Sequence, residues 1–118
     1  MTKPRIKTEK KFGMNGERLM LCANCGNAIT TSGSIVAVDD KHIQKFLNPD
    51  GIMFEIGCFS SADGCSILEE STTETTWFEG FSWSGCLCSN CFSHLGWFYE
   101  SEDDAFFGLI IDSITESH

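Results

Sequence analysis

The sequence lacks long apolar stretches and is poor in basic residues. No segment comes near the roughly 18 consecutive apolar residues that a membrane span requires, which excludes a transmembrane helix. Lys and Arg together number 8 against 17 Asp and Glu, which gives a formal net charge of -9. Nucleic acids and anionic membranes are therefore not expected as partners, because both attract basic surfaces.

No export signal is expected, because the basic segment over residues 3–11 is followed by no apolar region. We therefore expect a cytoplasmic protein whose cysteines stay reduced, and the odd total of seven cysteines agrees with that compartment. The 42% content of hydrophobic residues, ten Phe among them, excludes intrinsic disorder. We predict that residues 1–17 are a polar N-terminal tail, either loose or forming a first edge strand, and that residues 18–118 form a single domain.

Short apolar segments, separated by Gly, Ser, Thr, Asn and Asp, follow one another along this domain. Segments of this kind that are rich in β-branched and aromatic residues are typical of strands, and no window carries the apolar stripe of a long helix. The sequence therefore predicts a mostly β fold. The motif Asn48-Pro49-Asp50-Gly51 predicts a turn between strands, and Glu79-Gly80 predicts the tip of a tight hairpin. The predicted strand segments are residues 19–21, 35–38, 52–56, 77–78, 97–99 and 106–111.

Two Cys-x-x-Cys motifs predict a metal site. Cys22 and Cys25 form the first pair, Cys88 and Cys91 form the second, and 62 residues separate the pairs. Four thiolates complete the tetrahedral shell that structural zinc prefers, and a closed shell leaves no open position for a catalytic water. We therefore expect a structural Zn²⁺ that joins distant parts of the chain. The alternatives are buried free thiols or a thioredoxin-type redox pair, and the latter needs a βαβ context that this sequence lacks.

The remaining candidates near this site are weaker. His94 follows Cys91 by three residues, but with four cysteines available it is expected to be a hydrogen-bonded core or loop histidine. Cys58, Cys65 and Cys86 are expected to be small buried thiols, although Cys58 and Cys65 are close enough in sequence to pair under oxidation. Nothing near them marks a catalytic nucleophile.

The aromatic residues of the second half allow two interpretations. Trp97 and Tyr99 share one face of a predicted strand, and Trp77 and Trp83 flank the predicted hairpin tip. Three Trp side chains that meet at one point are most often part of a core. They can also form the walls of a cage for a small flat or cationic group.

A resemblance favours the cage interpretation. The segment from Trp77 to Trp83, the motif Cys88-x-x-Cys91 and the motif His94-Leu-Gly-Trp97-Phe-Tyr99 resemble the CULT domain, the thalidomide-binding domain of cereblon and of its small single-domain bacterial relatives. The likeness covers roughly residues 18–114 and includes Asn48-Pro49-Asp50-Gly51. It implies two antiparallel sheets joined by the four-cysteine zinc site, an arrangement called a β-tent.

The resemblance also implies a function. It implies a non-enzymatic module whose three-Trp cage accepts cyclic imides, such as the glutarimide ring of thalidomide, and uracil-like rings, including uridine. The imide N–H is expected to donate to a backbone carbonyl at Thr75, and an imide carbonyl to accept from the backbone N–H of Trp77. The ligand-binding residues implied are Asn48, Pro49, Phe54, Thr75, Trp77, Trp83, Trp97 and Tyr99.

The sequence departs from the family pattern at Thr75, where cereblon carries a His, so that any hydrogen bond from that side chain is altered or lost. The 118 residues match only the binding module of cereblon, and no ligase adaptor is expected as a partner. Three alternatives stay open: a β-tent enzyme such as a methionine sulfoxide reductase of the B type, an aromatic cage for methylated ammonium groups, and a purely structural zinc domain. A modified peptide end is a further candidate ligand, and the oligomeric state is not predicted.

Overall fold

The computed structural model of the protein describes residues 4–8 and 17–117. Strands dominate these residues, which confirms the prediction of a mostly β fold. Helical structure in the described ranges is confined to two 3-10 helices, Ser32–Ser34 and Ile111–Ser113, and none of it is long and apolar enough to cross a bilayer. The strands are β1 (Ile6–Thr8), β2 (Leu19–Cys22), β3 (Ala28–Thr31), β4 (Val36–Val38), β5 (Ile43–Leu47), β6 (Met53–Phe59), β7 (Cys65–Ile67), β8 (Ser82–Cys88), β9 (His94–Glu100), β10 (Ala105–Ile110) and β11 (Ile114–Glu116).

The largest sheet has six antiparallel strands in the order β5-β6-β10-β9-β8-β7. The strand β9, which carries Trp97 and Tyr99, is central in this sheet and pairs with β10 on one side and with β8 on the other. In this register Trp83 lies opposite Tyr99. Two aromatic side chains that are distant along the chain are therefore neighbours on one face of the sheet.

A β-bulge in β9 determines which way Trp97 faces. Cys86 lies opposite Gly96 and Leu87 lies opposite His94, so that Leu95 is the additional residue of β9. An additional residue in one strand bends that strand and shifts its alternation of side chains. Leu95 consequently packs in one cluster with Cys86 and Cys88, whereas Trp97 packs in another with Phe78 and Tyr99.

Two smaller antiparallel sheets complete the described fold. The three-stranded sheet has the order β11-β2-β3, and the two-stranded sheet pairs β1 with β4. The resemblance implied two sheets, and the β1–β4 pair is additional to them. Within the predicted N-terminal tail, Ile6–Thr8 form the strand β1, and residues 1–3 and 9–16 lie outside the described residues. The boundary at residue 17 stays a prediction.

The buried side chains form two clusters. In β10 the consecutive residues Phe106 and Phe107 belong to different clusters, so that the clusters lie on opposite faces of the six-stranded sheet. The cysteine-side cluster includes Cys22, Ile29, Phe59, Cys86, Cys88, Leu95, Phe107 and Leu109. The aromatic-side cluster includes Val36, Val38, Ile56, Cys58, Phe78, Phe81, Tyr99 and Phe106.

Both predicted turns are present in the structure, but the strand predicted at residues 77–78 is not. Gly51 has a φ of +82° and closes the turn between β5 and β6 through a 2.9 Å bond from its N–H to the carbonyl of Asn48. Gly80 has a φ of +87° in the turn from Phe78 to Phe81. Residues 77–78 are not part of a strand, since this side of the expected hairpin is a loop with Phe78 turned into the core.

Candidate functional site

The two Cys-x-x-Cys motifs meet in space. The sulfur atoms of Cys22, Cys25, Cys88 and Cys91 all lie within 4.8 Å of one another. Two of the sulfur pairs, Cys22 with Cys91 and Cys25 with Cys88, are 3.7 and 3.6 Å apart. An ion bonded to four thiolates at about 2.3 Å would separate the sulfurs by about 3.8 Å, so the cluster has the dimensions of a tetrahedral metal site. Cys22 ends β2 and Cys88 ends β8, so this site joins the three-stranded sheet to the six-stranded sheet.

The two cysteine motifs have the same backbone structure. In the first, Gly26 donates its N–H to the carbonyl of Cys22 at 2.8 Å, and in the second Phe92 donates to Cys88 at 2.8 Å. Both residues adopt the left-handed backbone conformation, with φ values of +81° for Gly26 and +64° for Phe92. The turn therefore requires this conformation immediately after the second cysteine of each pair, and the second motif adopts it without the glycine that favours it.

Asparagine side chains cross between the two motifs. The Nδ2 of Asn24 donates to the sulfur of Cys91 at 3.3 Å, and the Nδ2 of Asn90 donates to the sulfur of Cys25 at 3.4 Å. Hydrogen bonds to a sulfur favour its thiolate form, which is the form that binds a metal. The bond from Asn24 is the principal reason that the pKa of Cys91 is lowered to about 5.

The other three cysteines and His94 lie outside this cluster. Burial raises the pKa of Cys58 to about 12, and Cys86 is likewise held as a thiol by the neighbouring Cys65 and by burial. Cys58 and Cys65 lie on β6 and β7, with three strands between them and in different clusters, so they are not placed to form a disulfide. His94 has its Nε2 at 3.0 Å from the carbonyl oxygen of Gly96.

A cavity of about 260 Å³ opens on the aromatic side of the large sheet. Its walls come from the β5–β6 turn, the loop before β8, and the strands β8 and β9. Phe54, the eighth residue of the predicted ligand set, does not line it and packs against Trp97 with ring centroids 5.3 Å apart. The lining residues are Asn48, Pro49, Thr75, Trp77, Trp83, Trp97 and Tyr99.

The three Trp side chains differ from the core beside them in exposure. Phe78 and Tyr99 are each 2% exposed, whereas Trp77, Trp83 and Trp97 are all half-buried. Each half-buried indole lines the cavity and keeps part of its ring surface free to contact a ligand. Tyr99 forms the floor, stacked on Phe106 with centroids 5.1 Å apart, and burial raises the pKa of its hydroxyl so that it stays neutral.

Hydrogen bonds hold two of the indoles against backbone carbonyls. The Nε1 of Trp77 donates to the carbonyl of Leu47 at 3.2 Å, and the Nε1 of Trp83 donates to the carbonyl of Glu74 at 2.8 Å. Trp77 is thereby attached to the end of β5 and Trp83 to the loop that carries Thr75. The cavity walls are therefore connected to one another by hydrogen bonds as well as by packing.

Sequence reasoning missed three residues that support these walls. Phe46 stacks on Trp77, with centroids 4.8 Å apart and planes at 10°, and the ring of His94 lies nearly perpendicular to that of Trp97, with centroids 5.0 Å apart. Gly96 has a φ of +152°, and a Cβ there would collide with the carbonyl oxygen of Gly108 on β10. His94 and Gly96 belong to the His-Leu-Gly-Trp motif, which could have indicated that they lie beside Trp97. Phe46 lies in β5, a strand that the sequence did not predict.

Comparison with known proteins identifies relatives of this chain. The cereblon of Drosophila erecta is 30% identical over an alignment of 114 residues that covers 88% of this chain and 19% of that protein. The cereblon of Xenopus tropicalis is 31% identical over an alignment of 80 residues that covers 66% of this chain and 18% of that protein. The chain thus spans about a fifth of the length of the curated relatives it matches. No family model matches the chain.

Proposed function

Because the chain is a cereblon-like CULT domain, we propose that it is a non-enzymatic binding module that takes cyclic imides and uracil-like rings into its aromatic cavity. The observation that carries the proposal is the cavity itself, which is lined by seven of the eight residues expected from the resemblance. Trp77, Trp83 and Trp97 form its walls, and Tyr99 forms its floor.

The size and polarity of the cavity support a small neutral ring. Its volume of about 260 Å³ is below the roughly 300 to 1,000 Å³ of cavities that take drug-sized ligands, so a single ring or the ring end of a larger molecule suits it. The lining side chains carry no formal charge. A neutral ring can enter such a site without the cost of desolvating an unpaired ion.

The imide edge has a binding partner in the loop before β8. A cyclic imide offers an acceptor, a donor and an acceptor in a row, and we propose that the carbonyl of Thr75 and the N–H of Trp77 bind this edge. Leaving it unpaired in the cavity would cost about 1 to 3 kcal/mol per buried group, so backbone pairing gives selectivity for the ring. Apolar methylenes of the ring would contact the indoles.

We propose that the four cysteines hold a structural zinc ion. Cys22, Cys25, Cys88 and Cys91 supply four sulfurs at tetrahedral spacing, which is the donor set that zinc prefers in structural sites. When bound, the ion would cross-link the two sheets, and its shell would be closed to substrate. The role of these residues is therefore to stabilise the fold that positions the cavity.

The enzyme alternative has little support in the cysteines. A reductase of the methionine sulfoxide type requires an activated nucleophilic thiol, whereas Cys58 and Cys86 are buried and have raised pKa values. A cage for methylated ammonium would use the same indoles, but such a cation has no N–H edge for the backbone of Thr75 and Trp77. The imide proposal uses both the indole walls and the backbone groups of Thr75 and Trp77.

A modified peptide end that bears such a ring belongs to the same ligand class. We also propose that the protein is located in the cytoplasm.

A titration that follows the intrinsic Trp fluorescence of the zinc-loaded protein tests this function. Glutarimide, thalidomide and uridine are expected to cause saturable changes, because their rings would contact the indoles. N-methylglutarimide is the matched control, since it keeps the ring and loses the N–H, and it should bind much more weakly. A response to trimethyl-lysine with none to glutarimide would replace the imide proposal by the ammonium cage, and no response to any of them would return the Trp residues to a structural role.

A further inference from the structure

The loop before β8 is held by the hydroxyl groups of its own threonines. The hydroxyl oxygen of Thr72 accepts the N–H of Glu74 at 3.1 Å, and the hydroxyl of Thr76 lies 3.2 Å from the carbonyl of Phe78. The hydroxyl of Thr75 donates to the carbonyl of Glu74 at 2.7 Å. Of these three side chains, Thr75 is the one that also lines the cavity.

The carbonyl of Glu74 receives two donors. Besides the hydroxyl of Thr75, it accepts the indole N–H of Trp83 at 2.8 Å. A carbonyl oxygen has two lone pairs, so this pair of donors uses its full capacity. The hydroxyl of Thr75 and the ring of Trp83 are therefore fixed to the same atom, although Trp83 lies on β8 and Thr75 lies on a loop.

Thr75 is also left-handed, with a φ of +52°. This conformation is rare for a β-branched residue and is retained only where the surroundings enforce it. Two backbone bonds between Thr72 and Trp83, of 3.1 and 2.8 Å, attach the loop to β8 next to this position. The conformation of Thr75 sets the direction of its carbonyl, which is the group proposed above to accept the imide N–H.

We propose that Thr75 is a positioning residue of the cavity, which acts through the Glu74 carbonyl to hold the Trp83 wall and the loop in their binding geometry. This inference rests on the proposed function for its consequence in binding, whereas the carbonyl of Glu74 that Thr75 and Trp83 share is a feature of the fold itself. The hydroxyl of Thr75 has a single proton to donate, and the Glu74 carbonyl takes it. Thr75 therefore serves the ligand through its backbone and through Trp83, and its side chain gives the ligand no hydrogen-bond donor.

Three substitutions separate the hydroxyl from the backbone conformation. Thr75→Ser keeps the hydroxyl, Thr75→Val keeps the shape and removes the hydroxyl, and Thr75→Gly removes the hydroxyl while favouring the left-handed conformation. In the ligand-free protein, the ¹H–¹⁵N signal of the Trp83 indole, assigned by its loss in Trp83→Phe, should shift and exchange faster with solvent in the Val and Gly variants. In the Ser variant the signal should stay at the wild-type position.

The same variants are then titrated with glutarimide. Loss of one neutral hydrogen bond should weaken binding by about fivefold in Thr75→Val and Thr75→Gly, with Thr75→Ser within about twofold of the wild type. In Thr75→Gly this weaker binding should occur without a lower unfolding temperature, because glycine adopts the φ of +52° without steric strain. A turn residue with no positioning role would show the opposite: Thr75→Gly would bind like the wild type, with an unchanged indole signal.

The two proposals fail separately. If the wild-type protein does not bind glutarimide but the Trp83 indole signal responds to Thr75→Val and is retained in Thr75→Ser, the proposed function is wrong and the positioning contact stands. If glutarimide binds the wild type and all three variants equally, and the indole signal is unaffected, the positioning role is wrong and the binding function stands.

Discussion

The indole rings of Trp77 and Trp97 meet edge to face, with centroids 4.9 Å apart and ring planes at 76°. Phe46 supports Trp77 by stacking, and the rings of His94 and Phe54 each meet the ring of Trp97 at nearly a right angle. Two supported aromatic planes at a steep angle form a corner. A flat ring can contact the face of one indole and the edge of the other, which is the geometry that aromatic groups prefer.

Removing one wall should remove ring binding while the fold remains. Trp97→Ala is expected to weaken glutarimide binding by at least about tenfold, because the stacking surface is lost. Trp77→Ala and Trp83→Ala should have the same effect, measured by calorimetry on protein whose metal content is determined in parallel. Phe92→Ala is a suitable control, since Phe92 is 68% exposed and lies outside the cavity lining. Wild-type affinity in all three Trp variants would refute the cage.

Loss of one cluster cysteine should unfold the protein. Cys22→Ser or Cys88→Ser removes a ligand from the site that joins the two sheets, and structural zinc contributes about 10 to 16 kcal/mol to folding in small domains. Metal stoichiometry and the near-ultraviolet circular dichroism should both collapse, and a strong chelator should do the same to the wild type. Cys65→Ser, which alters a cysteine outside the cluster, should retain the metal. A cooperative, metal-free fold in Cys88→Ser would contradict the structural role of the ion.

The crossed asparagines should strengthen metal binding. Asn24→Ala removes the 3.3 Å bond to Cys91, and Asn90→Ala removes the 3.4 Å bond to Cys25. Partners of metal ligands typically contribute about 10 to 100-fold to affinity, so each variant should lose zinc to a competing chelator at a correspondingly lower chelator concentration. Asn27→Ala is the graded control, because its contact to Cys88 is longer, at 3.7 Å. Equal competition curves for all three variants and the wild type would show that the asparagine bonds do not tune the site.

A methyl group at Gly96 should disrupt the approach of β9 to β10. The Cβ of Gly96→Ala would collide with the carbonyl oxygen of Gly108 and lie 2.9 Å from the Cα of Leu109, both of which belong to the backbone of β10. Overpacking of this kind costs about 1 to 3 kcal/mol, and the φ of +152° adds to it. Denaturant unfolding measures the loss. Gly85→Ala is the matched control on β8, where the new methyl group would meet only the movable side chain of Leu68 at 3.0 Å. Equal stability in the two variants would contradict the close approach.

Alkaline pH should destabilise the fold through Cys58. Burial raises the pKa of this thiol from 9.0 to about 12, so the unfolded chain loses its proton at lower pH than the folded chain does. The contribution of Cys58 to stability is therefore complete below pH 9 and is lost as the pH rises from 9 towards 12. At pH 10 the loss should be about 1 kcal/mol relative to pH 8. Cys58→Ala should show a smaller loss between these two pH values in denaturant unfolding, and an identical loss would indicate that another group is responsible.

The cysteine and tryptophan motifs made much of the site predictable from the sequence. The spacing of Cys22-x-x-Cys25 and Cys88-x-x-Cys91 identified the four cysteines that cluster in the structure, because two thiolates three residues apart can reach one ion without knowledge of the fold. The resemblance supplied the cavity residues, all of which except Phe54 line one cavity. The mostly β character also followed from local patterns, since short apolar segments between turn residues are a property of the chain itself.

The tertiary structure alone decided how these parts are oriented and supported. The bulge at Leu95 turns Trp97 towards the cavity. Residues 77–78 form a loop instead of the predicted strand, and in this loop the ring of Phe78 is buried in the core. The double use of the Glu74 carbonyl by Thr75 and Trp83 depends on β8 packing beside the loop. The sequence determined which side chains are available for the cysteine cluster and the cavity, because residue type and spacing are local. Their angles and hydrogen-bond partners come from segments that are distant along the chain, and these meet only when the sheets pack together.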